Sequence, residues 1–475
     1  MSETMKTDIC VIGAGSGGLT VAAGAAQMGA QVVLIEKGKM GGDCLNYGCV
    51  PSKALIAAAH AAESARRGAA FGIAAAPNVH FSKVHAHIHG VISEIAPADS
   101  VERFEGLGVH VVKAKACFTG PAEVDAGGVR VRARRFVIAT GSKPAQPAIE
   151  GLSVCRYLTN ETIFDLKEQP KHLIVIGGGP IGCELAQAYR RLGADATVLE
   201  VGAIMPRDDP EAVAIVRRRL VDEGVDLRER TTVTSVREEA GGFVVSIADD
   251  DGGENRIAGS HLLVAAGRKA EVDGLGLEAA GIDYSSKGIT VDSRLRTTNK
   301  KVFAIGDVVG GHRFTHMAGY HGGIVIRNVV FNFPARVKED AVPWVTYTDP
   351  ELAHVGMSEA VARATHGKDV RVLRWRLAEN DRAHAERSTD GMIKVVVGRR
   401  ARVLGATIVG DRAGEMIGTW VLAVDQKIKI GAIATMIVPY PTLSEVSKRV
   451  AGTYYAGALF SSRVRRLVSW LQRLP

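Results

Sequence analysis

The stretch DICVIGAGSGG, residues 8 to 18, runs an apolar strand straight into Gly13, Gly15 and Gly18. An alanine-rich helical pattern follows, then a second apolar strand, QVVLIEK, that ends on Glu36. Strand, Gly-x-Gly-x-x-Gly turn, helix, strand and terminal acid, in that order, describe a dinucleotide-binding βαβ unit. The glycines permit a tight turn, close approach of a pyrophosphate to the backbone, and close helix–strand packing, while the acid accepts hydrogen bonds from a ribose.

The same layout occurs a second time. HLIVIGGGPIG, residues 172 to 182, places Gly177, Gly179 and Gly182 after a strand; the helix CELAQAYRRLG and the strand ATVLEV, carrying Glu200, complete it. Each acid lies 23 residues after the first glycine of its motif. Each module then runs into alternating segments, VRVRARRFVIATG and FVVSIADDDGGENRIAGSHLLVAAG, which predict a β-meander leading into a last strand. KVFAIGDVVGG, residues 301 to 311, is a further apolar strand ending at Gly306-Asp307, and MIKVVVGRRARVLGATIVG predicts an antiparallel sheet. The expected fold is α/β: two Rossmann-like dinucleotide-binding domains and a C-terminal α+β domain. The expected boundaries are 1–150 and 151–270 for the two modules, 271–341 for a central segment completing the first, and 342–475 for the last domain.

Two dinucleotide sites on one chain imply electron relay between a retained flavin and an exchanging nicotinamide. Glu200 at the second ribose pairs with a free 2′-hydroxyl and repels a 2′-phosphate, and no arginine follows before Arg207, so NAD(H) is expected over NADP(H).

Composition agrees with a globular protein of several domains: 475 residues, 46% hydrophobic and 23% charged. The net charge of +8 is spread along the chain without aromatic–basic interleaving, so no nucleic-acid partner is expected. MSETMKTDIC leaves no room for a signal peptide before the first strand, no apolar run reaches membrane-span length, and the expected location is cytoplasmic. In that compartment a close cysteine pair is catalytic or metal-binding more often than structural.

Such a pair stands in GGDCLNYGCVPSK, residues 41 to 53, as Cys44 and Cys49. The other cysteines, Cys10, Cys117, Cys155 and Cys183, are isolated in sequence, so a zinc set lacks ligands and no metal site is expected. A disulfide needs the loop to leave helical geometry. Positions i and i+5 of a helix are roughly 8 to 9 Å apart, and a disulfide tolerates at most about 7 Å. Gly48 supplies that freedom, and SKALIAAAHAAESA predicts a helix starting at or just after Cys49. A thiol there is favoured as thiolate, with Lys53 one turn further on.

These residues together resemble the class I pyridine nucleotide-disulfide oxidoreductases. The likeness takes in both glycine loops, GGDCLNYGCVPSK, ATGSKP (139–144), AAGR (265–268), FAIGDV (303–308), YTDPELAHVG (347–356) and PTLSE (441–445), and covers nearly the whole chain. It implies that Gly13, Gly15, Gly18 and Glu36 hold the adenosine half of FAD, with Thr140, Gly141 and Asp307 completing the site. Gly177, Gly179, Gly182 and Glu200 hold NAD(H); Lys37, Gly42, Gly306 and Gly267 count among the cofactor-binding residues. Cys49 would be the charge-transfer thiol beside the flavin and Cys44 the interchange thiol, with Lys53 and Glu184 forming an ion pair near the nicotinamide. A homodimer is implied, the C-terminal domain of one subunit completing the other's site.

The chain departs from the disulfide-reducing members at one position of consequence. They carry His-Pro-Thr-x-x-Glu near the C-terminus; here Tyr440 replaces the histidine and Glu445 keeps the glutamate position. Tyrosine ionises near about 10 against about 6.5 for histidine, so at neutral pH only about one in a thousand would be ready as a base. Mercuric reductases also carry tyrosine there, but this chain lacks their terminal cysteine pair, its last cysteine being Cys183. The leading expectation is therefore electron transfer among NAD(H), FAD and a Cys44–Cys49 disulfide in the manner of dihydrolipoamide dehydrogenase, on a small disulfide or dithiol. The alternative is a mercuric-reductase-like reductase of a metal ion or small electrophile, and a third reading is a flavin-bound redox sensor. Asp43 stands where threonine is common. His85, His87 and His89 read as a surface helix. The basic amphipathic tail SSRVRRLVSWLQRLP is expected to pack on the dimer, with membrane-surface contact as its alternative.

Overall fold

The computed structural model describes residues 4–239, 241–249 and 253–474. Chain contacts divide it into two compact units, one of residues 1–201 and 228–337, the other of 202–227 and 338–475.

The first unit is built on strand Thr4–Ile12, whose residues Ile9 to Ile12 are buried. A run that is apolar on both faces suits the middle of a parallel sheet, where helices cover each side. Strands Val32–Ile35 and Val129–Ile138 flank it in parallel, with Ile12 opposite both Ile35 and Ile138. Val109–Val112 extends one edge and Val302–Ala304 pairs with the end of Val129–Ile138, also in parallel. The meander Ala116–Gly120, Glu123–Ala126 and Val129–Ile138 is antiparallel, as the alternation predicted.

The repeat follows the same plan. Strands His172–Ile176, Asp195–Leu199 and His261–Val264 are parallel, with helix Pro180–Arg191 after the second glycine motif. Thr231–Glu239, Gly242–Asp249 and Glu254–Gly259 form its antiparallel meander; the part of the predicted run at 250–252 lies outside the described residues. Cys10 and Cys183 are buried in the two modules as small core residues.

The second unit holds a five-stranded antiparallel sheet in the order Pro343–Thr346, Glu351–Gly356, Val403–Gly410, Met392–Val397, Arg371–Arg376. Helices Gly418–Asp425 and Glu445–Leu459 contribute Trp420, Val446 and Val450 to its core, and the buried Trp420 indole donates to Ser447 Oγ at 3.1 Å. Helix Pro210–Asp222 belongs to this unit. Lys394, on strand Met392–Val397 and almost wholly buried, donates to Asp209 and Glu211 at 2.7 Å and lies 2.8 Å from Glu359. Arg374 adds bonds to Glu211 at 2.6 and 2.8 Å. This buried cation therefore sits among three carboxylates, two of them at the start of the 210–222 helix. Among the described residues no helix is long and apolar enough to cross a membrane.

Candidate active site

The two glycine motifs share one backbone solution. Gly13 has φ +105° and Gly177 φ +113°, a region that disfavours any side chain. A methyl on Gly18 would stand 1.9 Å from the Gly13 carbonyl oxygen, and one on Gly182 would stand 1.9 Å from that of Gly177. The middle glycines differ from these. A methyl on Gly179 would meet nothing within 4 Å, and one on Gly15 only Gly42 Cα at 4.0 Å. Their small size leaves open space beside a helix N-terminus, where backbone amides point outward and an anionic pyrophosphate is favoured. Gly42 closes on Gly15, with 2.7 Å between its would-be methyl and Gly15 Cα, bringing the cysteine loop against the first motif.

The terminal acids fold back onto their own motifs. Glu36 accepts from the amides of Ala14 and Gly38 at 2.6 and 2.5 Å, and Glu200 from the amide of Gly178 at 2.7 Å. Both carboxylates thus stand at the mouths of the glycine turns, where a ribose hydroxyl can reach them. Around the first motif, Thr140 Oγ1 donates to the Glu271 carbonyl at 2.7 Å, and Lys37 lies exposed, 3.4 Å from the Glu271 carboxylate. Asp307, in the turn Gly306–Val309, accepts from Ser142 Oγ at 2.6 Å. Gly141 and Gly267 have φ of +73° and +114°. The two cradles, the open middle glycines and the inward acids fit two dinucleotides.

Cys44 lies in the short helix Gly42–Asn46, and Cys49 is the first residue of helix Cys49–Arg67. Between them the chain breaks at Gly48, where a methyl would press on Asp43 at 3.0 and 3.1 Å. Both cysteines are free thiols, hydrogen-bonded to each other. That bond pulls Cys49 down to about 6, helped by Thr315 and the Lys53 ammonium against burial and the Asp43 charge. The same bond, with burial, pushes Cys44 far above its ordinary value. The pair is thus a thiol donating to a thiolate, with the negative charge on the sulfur at the helix N-terminus. Thr315 Oγ1, at the start of helix Thr315–Val329, is 3.4 Å from Cys49 Sγ. Lys53 Nζ donates to Glu184 Oε2 at 2.7 Å, linking this helix to the first turns of Pro180–Arg191.

Asp43 gains an environment that its sequence neighbours do not reveal. Its Oδ1 accepts from Asn160 Nδ2 at 3.0 Å and pairs with Arg268 at 3.2 Å. Arg268 also donates to Ser142 Oγ and to the Ser142 carbonyl at 2.7 and 2.9 Å. A chain of polar contacts therefore runs from the cysteine loop through Arg268 and Ser142 to Asp307.

In the second unit the Tyr440 hydroxyl is exposed and donates to Asp381 Oδ2 at 2.8 Å. That bond and the Asp381 charge raise the phenol above its ordinary value. Asn380, buried, sets the pair: its amide donates to the Thr442 carbonyl at 3.0 Å while its oxygen caps the helix that starts at Asp381. Glu445 bonds Arg449 at 2.6 and 2.9 Å, so the carboxylate that holds Tyr440 is Asp381 and not Glu445. Asp381, Asn160, Arg268 and Thr315 were not singled out from the sequence, and no spacing marks them. The His85 and His89 rings lie 4.2 Å apart, tilted by 44°, on a surface helix, Phe81–Ile95. Among the described residues no group of three or more His, Cys, Asp or Glu could hold a metal ion.

A family model described as pyridine nucleotide-disulphide oxidoreductase matches residues 7–322, and one for the dimerisation domain of that family matches 342–451. The dihydrolipoyl dehydrogenase of Geobacillus stearothermophilus is 37% identical over 461 residues, covering 94% of this chain and 96% of the relative. The mercuric reductase of Streptomyces lividans is 34% identical over 457 residues, with the same two coverages, 94% and 96%. Among solved structures, the Cu(II) complex of the HOCl-induced flavoprotein disulfide reductase RclA from Escherichia coli superposes with a TM-score of 0.84 at 26% identity, covering 94% of this chain and 99% of that one. LpdA from Mycobacterium tuberculosis gives 0.86 at 27%, with coverage again of 94% and 99%. The chain is thus a disulfide oxidoreductase that carries a dimerisation domain, and it belongs to the pyridine nucleotide-disulphide oxidoreductase family, whose members bind FAD and NAD(P).

Proposed function

We propose that this enzyme uses NADH to reduce a small thiol-reactive acceptor, a soft metal ion or another electrophile, through Cys49 and Cys44. The carrying observation is Tyr440: its one hydroxyl hydrogen is given to Asp381 and its ionisation is held above the ordinary value, so it does not supply the base that disulfide-reducing relatives carry there. That inverts the order of the two readings that the sequence suggested. When bound, FAD supplies two-electron transfer between the nicotinamide and the cysteine pair. Residues 1–150 with 271–341 are proposed to build the flavin module, 151–270 the nicotinamide module, and 342–475 the interface of a homodimer.

The residues divide the work as follows. Gly13, Gly15, Gly18, Glu36, Lys37, Gly42, Thr140, Gly141, Gly306 and Asp307 hold FAD. Gly177, Gly179, Gly182 and Glu200 hold the nicotinamide nucleotide, with Gly267 nearby. Glu200, already bonded to its own glycine turn, favours a free 2′-hydroxyl and hence NAD(H). Lys53, fixed by Glu184, keeps positive charge beside Cys49, which stays a thiolate at neutral pH. Cys44, protonated and less tightly held in charge, meets the acceptor. As the acceptor takes two electrons, the Cys44–Cys49 bond forms and the single proton of the thiol–thiolate pair, carried by Cys44, is released. Tyr440 of the second subunit, its hydroxyl hydrogen given to Asp381, then turns its oxygen lone pairs to the acceptor, with Glu445 and Arg449 behind it.

A lipoamide-type disulfide is the second reading, supported by the 37% identity to a dihydrolipoyl dehydrogenase. NADH oxidation by the purified flavoprotein with Hg(II), Cu(II), quinones and lipoamide separates them. Turnover of a metal ion or quinone with slow lipoamide reduction supports the proposal; brisk lipoamide reduction by the native protein overturns it in favour of the second reading. Cys49→Ser should abolish turnover with either class of acceptor.

A further inference from the structure

Beyond Glu445 the chain carries Lys448, Arg449, Arg463, Arg465, Arg466 and Arg473 and not one Asp or Glu. The last helix, Ser462–Leu471, opens on Ser461, whose hydroxyl accepts from the Val464 amide. None of its residues is buried: Leu467, Val468, Trp470 and Leu471 are all exposed, as is Leu474 just beyond it. At about 100° per residue, Val464, Leu467, Val468, Trp470, Leu471 and Leu474 fall within an arc of about 160°. Ser462, Arg465, Arg466, Ser469, Gln472 and Arg473 take the opposite side. Arg463 alone interrupts the apolar arc, at its first turn, where a long side chain can reach back to water.

We propose that this helix lies in the headgroup layer of an anionic lipid bilayer, apolar arc inward and arginines on the phosphates. Three observations select that occupant. The face is uncovered, so the chain's own core does not take it. The match to the family's dimerisation domain ends at residue 451, before the helix begins, so that domain does not account for it. The charge is of one sign, and a second copy of the same helix would bring arginine against arginine, whereas anionic headgroups complement it. A tryptophan among leucines on the apolar side is the composition of an interfacial helix and not of a solvated one.

The test is flotation of the full-length, flavin-loaded protein with vesicles of phosphatidylglycerol and phosphatidylethanolamine, set against vesicles of phosphatidylcholine alone. The protein should float with the anionic vesicles only, and less so as salt rises. Each arginine near an anionic surface contributes about fivefold to partitioning, so R465Q/R466Q should weaken it about thirtyfold. L467E/L471E should abolish flotation while NADH oxidation in solution stays unchanged. Equal flotation with both vesicle types, or retention by L467E/L471E, overturns the proposal. So does a change from dimer to monomer in L467E/L471E on sedimentation, since the apolar arc would then be a subunit seam.

Discussion

Lys53 Nζ lies 2.7 Å from Glu184 Oε2, joining the helix that starts at Cys49 to the helix that follows the second glycine motif. The ammonium is also one of the groups that lower the Cys49 thiol to about 6. At neutral pH that sulfur favours the thiolate, where a thiol at the ordinary value stays protonated. Lys53→Met should therefore raise the midpoint at which Cys49 of the reduced enzyme becomes reactive to iodoacetamide. An unchanged midpoint would show that the lysine is not felt at the sulfur.

Asp43 acts in the opposite sense, its carboxylate raising both thiols. Asp43→Asn should move the iodoacetamide midpoint of Cys49 below about 6. The amide keeps the shape of the side chain, so its bond from Asn160 can survive while the charge pairing with Arg268 is lost. A midpoint that rises instead would mean that the Asp43–Arg268 pair orders the loop more than it repels the thiolate.

The matched glycine contacts allow the two nucleotide sites to be damaged one at a time. In each case the added methyl would meet a carbonyl oxygen at 1.9 Å, an overlap that neither backbone can absorb without moving. Gly18→Ala should yield protein that loses its yellow colour on gel filtration. Gly182→Ala should keep the flavin and raise KM for NADH about tenfold or more, by the usual cost of overpacking. A colourless Gly182→Ala protein would contradict the division of the two modules.

Lys394 is the buried cation of the second unit, and removing it leaves Asp209, Glu211 and Glu359 facing one another. Lys394→Met should lower the unfolding free energy by about 3 kcal/mol, read by urea denaturation. The same cluster sets an acid limit. Bonding from Arg374, with Lys394 assisting, holds Glu211 down to about 2 from 4.5. A depressed carboxylate stabilises above its unfolded value and loses that contribution as pH falls. Stability should thus decline from about pH 4.5 toward pH 2, and Arg374→Met should flatten that part of the curve.

Tyr440→His restores the residue of the disulfide-reducing relatives at a position already bonded to Asp381. Turnover with lipoamide should rise by about a hundredfold, a typical contribution of a positioned acid–base group. If lipoamide turnover stays flat, Tyr440 does not stand at the acceptor.

What could be read from the chain alone was whatever lies close in sequence. The glycine motifs, their acids and the helix start at Cys49 are each set within about two dozen residues, where turn sterics and strand–helix periodicity act directly. The meanders and the antiparallel pair 392–397 and 403–410 were legible for the same reason. The environment of Asp43 was not, because Asn160 and Arg268 arrive from 117 and 225 positions away. Nor was Asp381 beside Tyr440, which depends on a buried asparagine tying two distant loops together. Such partners carry no periodic signal; only packing brings them together.

The path of the chain between its two units has a practical consequence. It passes from one to the other near residues 201, 227 and 337. The middle excursion carries Asp209 and Glu211, which grip Lys394 from a stretch of chain far upstream. A single protease cut near residue 338 would thus make two fragments still held together by the 210–222 helix, and they should co-elute until acid or denaturant releases them. The C-terminal portion is clamped by a piece of chain that the ribosome finishes well over a hundred residues earlier, so the 210–222 segment must wait, already made, for the strands that it joins.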